Sequence, residues 1–341
     1  MSLPPSEIPQ GAIRFNTDSQ KLEFYAQGEW WVMSTNPATP VAPRGLFMGG
    51  FQDSPTPNLL FDIIDYVNIT TTGDAVDFGD MLGTTFYGTA CASSTRGLYM
   101  NGAYPATPST NNTIQYVTIA TTGNSIDFGD TVTIQSYSPA GVSDETRGIK
   151  AGGATNPATG PVNNIEFVTI ASTGNAADFG DLIQSARYMS GCSSPTRGIF
   201  CHGSTGANPA PAVNTISYVT IQSEGNSIDF GDTTSARSST AAFSSSVRGV
   251  FSGGATVNII DFITIATTGN AQDFGDLTVA RANLGGFSSP TRGVTGGGGS
   301  GAMDNTIDYV SIQTLGNATN FGDLTQARSY ARGCSNAHGG L

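Results

Sequence analysis

The chain has 341 residues, of which only 12% are charged, with 44 glycines and a net charge of −12. Abundant Gly, Ser, Thr and Asn indicate many short strands joined by tight turns and argue against helix. The two lysines, Lys21 and Lys150, cannot build a surface that neutralises a run of phosphates or anionic headgroups, so no nucleic-acid and no membrane partner is expected.

The amino-terminal MSLPPSEIPQ lacks the basic and apolar regions of a secretory signal, and nowhere do 18 apolar residues run together, so neither an export signal nor a membrane-spanning helix is expected. Residues 11–31 predict a β-hairpin with its turn near Asp18-Ser19, forming a module over residues 1–36. An isolated hairpin cannot bury so many large apolar side chains. Ile13, Phe15, Phe24, Tyr25, Trp30 and Trp31 are therefore candidate attachment residues. Residues 37–43, Pro-Ala-Thr-Pro-Val-Ala-Pro, read as a semi-rigid linker.

From residue 44 onward the chain repeats. Arg-Gly opens an apolar stretch in each unit, beginning at Arg44, Arg96, Arg147, Arg197, Arg248 and Arg292 and ending in small residues. An insert of variable length follows. Next comes an Ile-x-aromatic-Val-x-Ile strand, as in Ile114 to Ile119, with apolar residues on both faces, the mark of a strand buried on both sides. A Gly-Asn or Gly-Asp turn leads from it into a strand carrying Phe-Gly-Asp. That tripeptide gives the structural repeat Phe78/Asp80, Phe128/Asp130, Phe179/Asp181, Phe230/Asp232, Phe274/Asp276 and Phe321/Asp323, spaced 50, 51, 51, 44 and 47 residues apart. The segment from each Phe-Gly-Asp to the next Arg-Gly has room for a fourth strand. Six such units predict propeller blades, with the carboxyl-terminal strand completing the first.

Cys91, Cys192 and Cys334 share one repeat slot that elsewhere holds Val142, Phe243 and Phe287, so they read as buried thiols, and Cys201 likewise. His202 and His338 stand alone at no metal-ligand spacing; no metal and no cofactor are expected. The carboxylate after Phe-Gly recurs in every unit, and a feature copied six times reads as turn hydrogen bonding or a link to the repeated Arg rather than as a catalytic pair. No nucleophile elbow, histidine-centred triad or copper-ligand set is present, which argues against an enzyme, although a glycosidase working through carboxylates alone stays open. The inserts differ between units and follow the same strand each time, so they cluster on one face as a candidate binding surface that includes Phe51, Asp53, Asn58, Tyr104, Asn156 and Asn208.

The units resemble the kelch repeat: a strand ending in Gly-Gly, an aromatic third strand, and Ala-Arg before the next unit at Ala186-Arg187, Ala236-Arg237, Ala280-Arg281 and Ala327-Arg328. The first two units lack the Ala-Arg, and Phe stands where kelch units carry Trp. The resemblance implies an all-β chain, a six-bladed kelch-like β-propeller over residues 44–341 with a small N-terminal β-hairpin module. Residues 11–31, Gly-x-Ile-Arg-Phe-Asn-Thr through Trp-Trp, are similar to a short module of tail, fibre and other virion proteins of tailed bacteriophages, notably T4-like phages of cyanobacteria. That likeness implies a non-enzymatic structural protein of the phage particle, in several copies. It would be anchored on other virion proteins by its amino terminus and would display the propeller toward a host-surface glycan or protein. The alternatives are a propeller glycosidase and a bacterial kelch-like scaffold.

Overall fold

The computed structural model describes residues 8–17, 21–32, 42–52, 59–103, 111–134, 137–155, 160–207, 210–299 and 301–341. Among these the chain is all-β, with 29 strands and no helix. Contacts divide it into two compact units, Met1–Val41 and Ala42–Leu341. The expected turn at Asp18-Ser19, linker residues 37–41, and Asp53, Asn58, Tyr104, Asn156 and Asn208 lie outside the described residues.

The smaller unit is a three-stranded antiparallel sheet, Ile13–Asn16, Lys21–Ala26 and Glu29–Val32, in that order. This corrects the two-stranded hairpin. Gln27 and Gly28 both take positive φ, 53° and 84°, which is the backbone of a two-residue hairpin turn and folds the Trp-Trp segment back as a third strand. Register fixes the faces: Ile13 pairs with Phe24 and Phe24 with Trp31, while Phe15 pairs with Leu22. These five side chains share one face.

The larger unit contains six four-stranded antiparallel sheets. Strands follow one another across each sheet in chain order, as in Thr89–Ala92, Arg96–Met100, Thr113–Thr118 and Ile126–Asp130. The sheet that contains Arg44–Met48 takes its first strand from the other end of the chain, Arg332–Ser335, with Cys334 opposite Leu46. The first strands touch one another in sequence, and the last of them, Arg332–Ser335, touches Thr89–Ala92.

Six apolar clusters lie between consecutive sheets. Ile114 and Phe128 pack with Val168 and Ile170 of the following sheet. Val117 and Ile119 of the same third strand pack backward on Ile64 and Phe78. The third strand is apolar on both sides because each side meets a neighbouring sheet. The sixth cluster joins Ile307 and Phe321 to Val67 and Ile69, the last sheet to the first.

Hydrogen bonds repeat the same connectivity. Each turn glycine donates its N–H to the Phe-Gly-Asp phenylalanine carbonyl of the preceding sheet at 2.8–2.9 Å, from Gly123 to Phe78 around to Gly73 to Phe321. The adjoining side-chain oxygen, as in Asn124, accepts from the backbone N–H of the aspartate, here Asp80, at 3.0 Å. This explains the middle residue of the tripeptide: a Cβ on Gly129 would stand 2.4 Å from the Gly174 carbonyl oxygen.

Of the two roles expected of the repeated aspartates, turn hydrogen bonding is found, through the main chain, and the carboxylate–arginine link is not. Among the described residues no hydrogen bond or ion pair reaches the carboxylates of Asp80, Asp130, Asp181, Asp232, Asp276 or Asp323; their main chain makes the turn bond. The repeated arginines instead donate to carbonyls of the next sheet, from Arg44 to Ile119 through Arg292 to Ile69, at 2.8–3.2 Å. Each lies 4.4–4.9 Å over the aromatic ring of its own third strand, a cation–π contact.

A second arginine set was legible as Ala-Arg but its partners were not. Arg237, Arg281 and Arg328 are fully buried and bind Asp261, Asp308 and Asp65, also fully buried, at 2.6, 2.6 and 2.9 Å. The acids occupy the variable place after the first isoleucine of the third strand.

Candidate functional site

The seventh residue after each Phe-Gly-Asp aspartate adopts a left-handed backbone: Tyr87, Tyr137, Tyr188, Ser239, Asn283 and Tyr330, with φ of 53–64°. They stand just before the first strands and are linked through their main chains, with Ser239 N–H donating to Tyr188, Asn283 to Ser239 and Tyr330 to Asn283 at 2.9–3.0 Å. One end of the set of first strands therefore carries a collar built from every unit.

Four collar positions are tyrosine, and three of these gather around Tyr87. Its ring centroid lies 4.2 Å from Tyr330, 5.2 Å from Tyr137 and 6.1 Å from Tyr188. Phe51 stacks on Tyr330 at 5.5 Å, and the Phe86 ring lies tilted against Tyr87 at 4.5 Å. Burial pushes the Tyr87 phenol far up and that of Tyr330 up to about 12, so both stay protonated and can donate as well as accept. Arg332 lies 5.8 Å from the Tyr330 centroid and donates to the Gly88 carbonyl at 2.9 Å and to the Ser138 hydroxyl.

Ser239 and Asn283 occupy the other two collar positions, adjacent to each other, and there the collar opens. A cavity of about 320 Å³ is bounded by Tyr188 and Tyr330, with Ser204, Ser238, Ser239 and Asn283 in its wall. Its only charged lining residue among those described is Arg187. Bridges from Ser204 to Arg187 and from Phe51 to Ser329 bring the insert bases to this same end. Of the insert residues singled out in the sequence, Phe51 alone is described, half-buried in the aromatic cluster.

The opposite end of the first strands carries serines. Ser143 Oγ donates to Ala92 O, Ser193 to Ser143, Ser244 to Ser193, Ser288 to Ser244 and Ser335 to Ser288, at 2.6–2.8 Å. Only the Ala92 position lacks a hydroxyl, and the carboxyl-terminal tail meets it. His338 lies beyond the last strand, and its Nε2 donates to Ala92 O at 2.7 Å while its Nδ1 accepts from Gly340 N–H at 3.0 Å. These partners fix a neutral tautomer, and burial lowers the histidine's pKa. Gly340 lies so close to Ser143 that a Cβ would be 2.0 Å from its carbonyl oxygen. The tail closes this end.

His202 is fully buried and bonded to Ser217 at 2.6 Å, and burial pushes it down to about 4. The unfolded chain binds that proton near pH 6.5, the folded chain only near 4, so stability should fall as pH drops between those values. By pH 4.5 the His202 share of the loss is about 2 kcal/mol. Denaturant titrations at pH 7 and pH 4.5 should show that His202→Asn, the residue of the equivalent Asn101 slot, removes this share. His338 contributes a slope of the same sign that the variant keeps.

All four cysteines are buried free thiols. No group of three metal-ligating residues occurs among the described residues.

On the smaller sheet, Ile13, Phe15, Phe24 and Trp31 lie on the shared apolar face with Leu22 and are exposed, Ile13 by 63%. Tyr25 and Trp30 point to the other face. Tyr25 is buried, and the Trp30 ring receives Arg14 at 4.2 Å, with Arg14 also bonded to Glu23 at 2.8 Å. The six expected attachment residues thus divide four and two, because alternation along a strand separates neighbours.

No protein-family model matches the chain, and no curated protein is significantly similar to it.

Proposed function

We propose that the six sheets are the blades of a closed, kelch-like propeller, and that the protein is a non-enzymatic binding and structural component of a phage particle. In this reading the amino-terminal sheet docks on another virion protein, and the collar end of the propeller faces outward. Closure is supported by the cyclic order of sheet contacts, arginine bonds and turn bonds, each returning from the last sheet to the first.

The observation that carries the anchoring role is the amino-terminal sheet's exposed face, with Ile13, Phe15, Leu22, Phe24 and Trp31 each at least 36% accessible. So much apolar surface on so small a sheet is a docking surface in want of a partner. The phage assignment rests on the likeness of residues 11–31 to virion modules.

Deletion of residues 1–36 is expected to leave a folded protein that no longer enters particles, measured by immunoblotting purified virions. Incorporation at the wild-type level would overturn the anchoring role. A milder variant, Phe15→Ser with Trp31→Ser, keeps the sheet's backbone pairing and should reduce incorporation at least about tenfold if burying this face is the source of affinity.

A further inference from the structure

We propose that the cavity opened by Ser239 and Asn283 is a binding site for a neutral saccharide. The proposal builds on the reading of the chain as a binding protein and names the ligand class of its collar end.

The repeat breaks at this cavity. The turn bonds and the arginine–carbonyl bonds between sheets are copied in all six units, and the serine chain in five. The collar keeps its left-handed backbone at all six positions yet changes side chain at two neighbouring ones. Backbone geometry does not require the change, since tyrosine is accommodated at the same φ in four sister units. The two small residues leave a contiguous gap, about 320 Å³, large enough for one or two sugar rings and at the lower end of small-ligand sites.

The chemistry of the wall suits a sugar. A sugar ring presents an apolar face of C–H groups and an equator of hydroxyls. Tyr188 and Tyr330 border the gap with aromatic side chains, and Ser204, Ser238, Ser239 and the Asn283 amide supply both donors and acceptors. No described lining residue is a carboxylate, so the wall offers no countercharge to a cationic ligand, and the net charge of −12 opposes an anionic one. The one cation, Arg187, has its guanidinium turned toward the Tyr188 ring at 5.3 Å and is 1% accessible, so its charge is not presented to an incoming anion.

The test is an array of neutral and carboxylate-bearing oligosaccharides probed with the full-length protein, followed by calorimetric titration of the best neutral binder. Ser239→Tyr and Asn283→Tyr restore the residue of the sister units and fill the gap. Each is expected to weaken binding more than about tenfold, and the double variant to abolish it, at an unchanged melting temperature. Asn283→Ala leaves the gap open and removes only the amide; it should weaken binding about tenfold. The proposal is overturned if no neutral saccharide binds, if only acidic sugars bind, or if the double variant binds like wild type. Sugar binding should persist after deletion of residues 1–36. Failure of that deletion to block particle entry would therefore sink the anchoring role and leave this site standing.

Discussion

Asp65→Ala is expected to destabilise the protein by about 4 kcal/mol, the range for leaving one partner of a buried ion pair alone. Asp65 and Arg328 are both fully buried, 2.9 Å apart, and come from opposite ends of the sequence. Asp65 also accepts from the hydroxyl and the backbone N–H of Thr325 at 2.7 and 3.2 Å, so one carboxylate serves two hydrogen-bond donors and the Arg328 charge. Burial already lowers the Arg328 pKa, and the Asp65 charge opposes that shift. Without the carboxylate the guanidinium stays buried with no countercharge among the described residues. Asp65→Asn should be intermediate, since it keeps an acceptor for Thr325 and loses the charge. Replacing both partners, Asp65→Leu with Arg328→Met, should recover much of the loss because no charge then stays stranded. Urea titrations of the four proteins check this; a cost below about 1 kcal/mol for Asp65→Ala would mean that the guanidinium finds another partner.

This pair also shows how far the sequence could be read. Phe-Gly-Asp stood out because its first two residues have fixed jobs in all six units: Phe78 and its counterparts fill an inter-sheet cluster, and the glycine admits a neighbouring turn. The aspartate recurs as well, but its carboxylate has no partner among the described residues; its main chain makes the turn bond, and the alternative link to arginine is not formed. The acids that do bind arginine sat unnoticed in a position filled by Asp65, Gln115, Glu166, Ser217, Asp261 and Asp308. Aligned unit by unit, that column looks like a variable surface place. Only when each residue is set against the Ala-Arg of the preceding unit do Arg237 with Asp261, Arg281 with Asp308 and Arg328 with Asp65 fall into pairs. The partner lies in the next sheet, and a repeat alignment is blind to contacts between repeats.

The candidate site was hidden for a related reason. Self-comparison rewards positions that agree, whereas the collar matters where Ser239 and Asn283 disagree with four tyrosines. Its regular offset of seven residues from each Phe-Gly-Asp aspartate was present in the sequence. Its meaning was not, because convergence of the six positions depends on the order in which the sheets pack. In the amino-terminal unit, Gly28 directly before Glu29-Trp30-Trp31 was the available sign of a second turn.

Removing residues 332–341 is expected to abolish the monomeric fold, whereas removing only 336–341 should not. Arg332–Ser335 covers the strand Arg44–Met48, where Leu46, Phe47 and Met48 are wholly inaccessible. Without it that strand has a bare edge with unpaired backbone donors and acceptors, flanked by apolar side chains that pair readily with another chain. Cys334 leaves the Leu46–Ile119 cluster, and the serine chain loses its last member. Losing a strand and two inter-sheet contacts is comparable to the whole net stability of a domain, about 5–15 kcal/mol. The shorter truncation removes the His338 bond to Ala92 and the close packing of Gly340 on Ser143, but leaves every sheet four-stranded. Light scattering after size exclusion should find oligomers or no soluble protein for the longer deletion and a monomer with a melting temperature lowered by a few degrees for the shorter one. A peptide of residues 329–341 added during refolding should rescue the longer deletion by supplying the missing strand. A stable, monomeric protein lacking residues 332–341 would show that the sheets hold their order without the join between the chain's two ends.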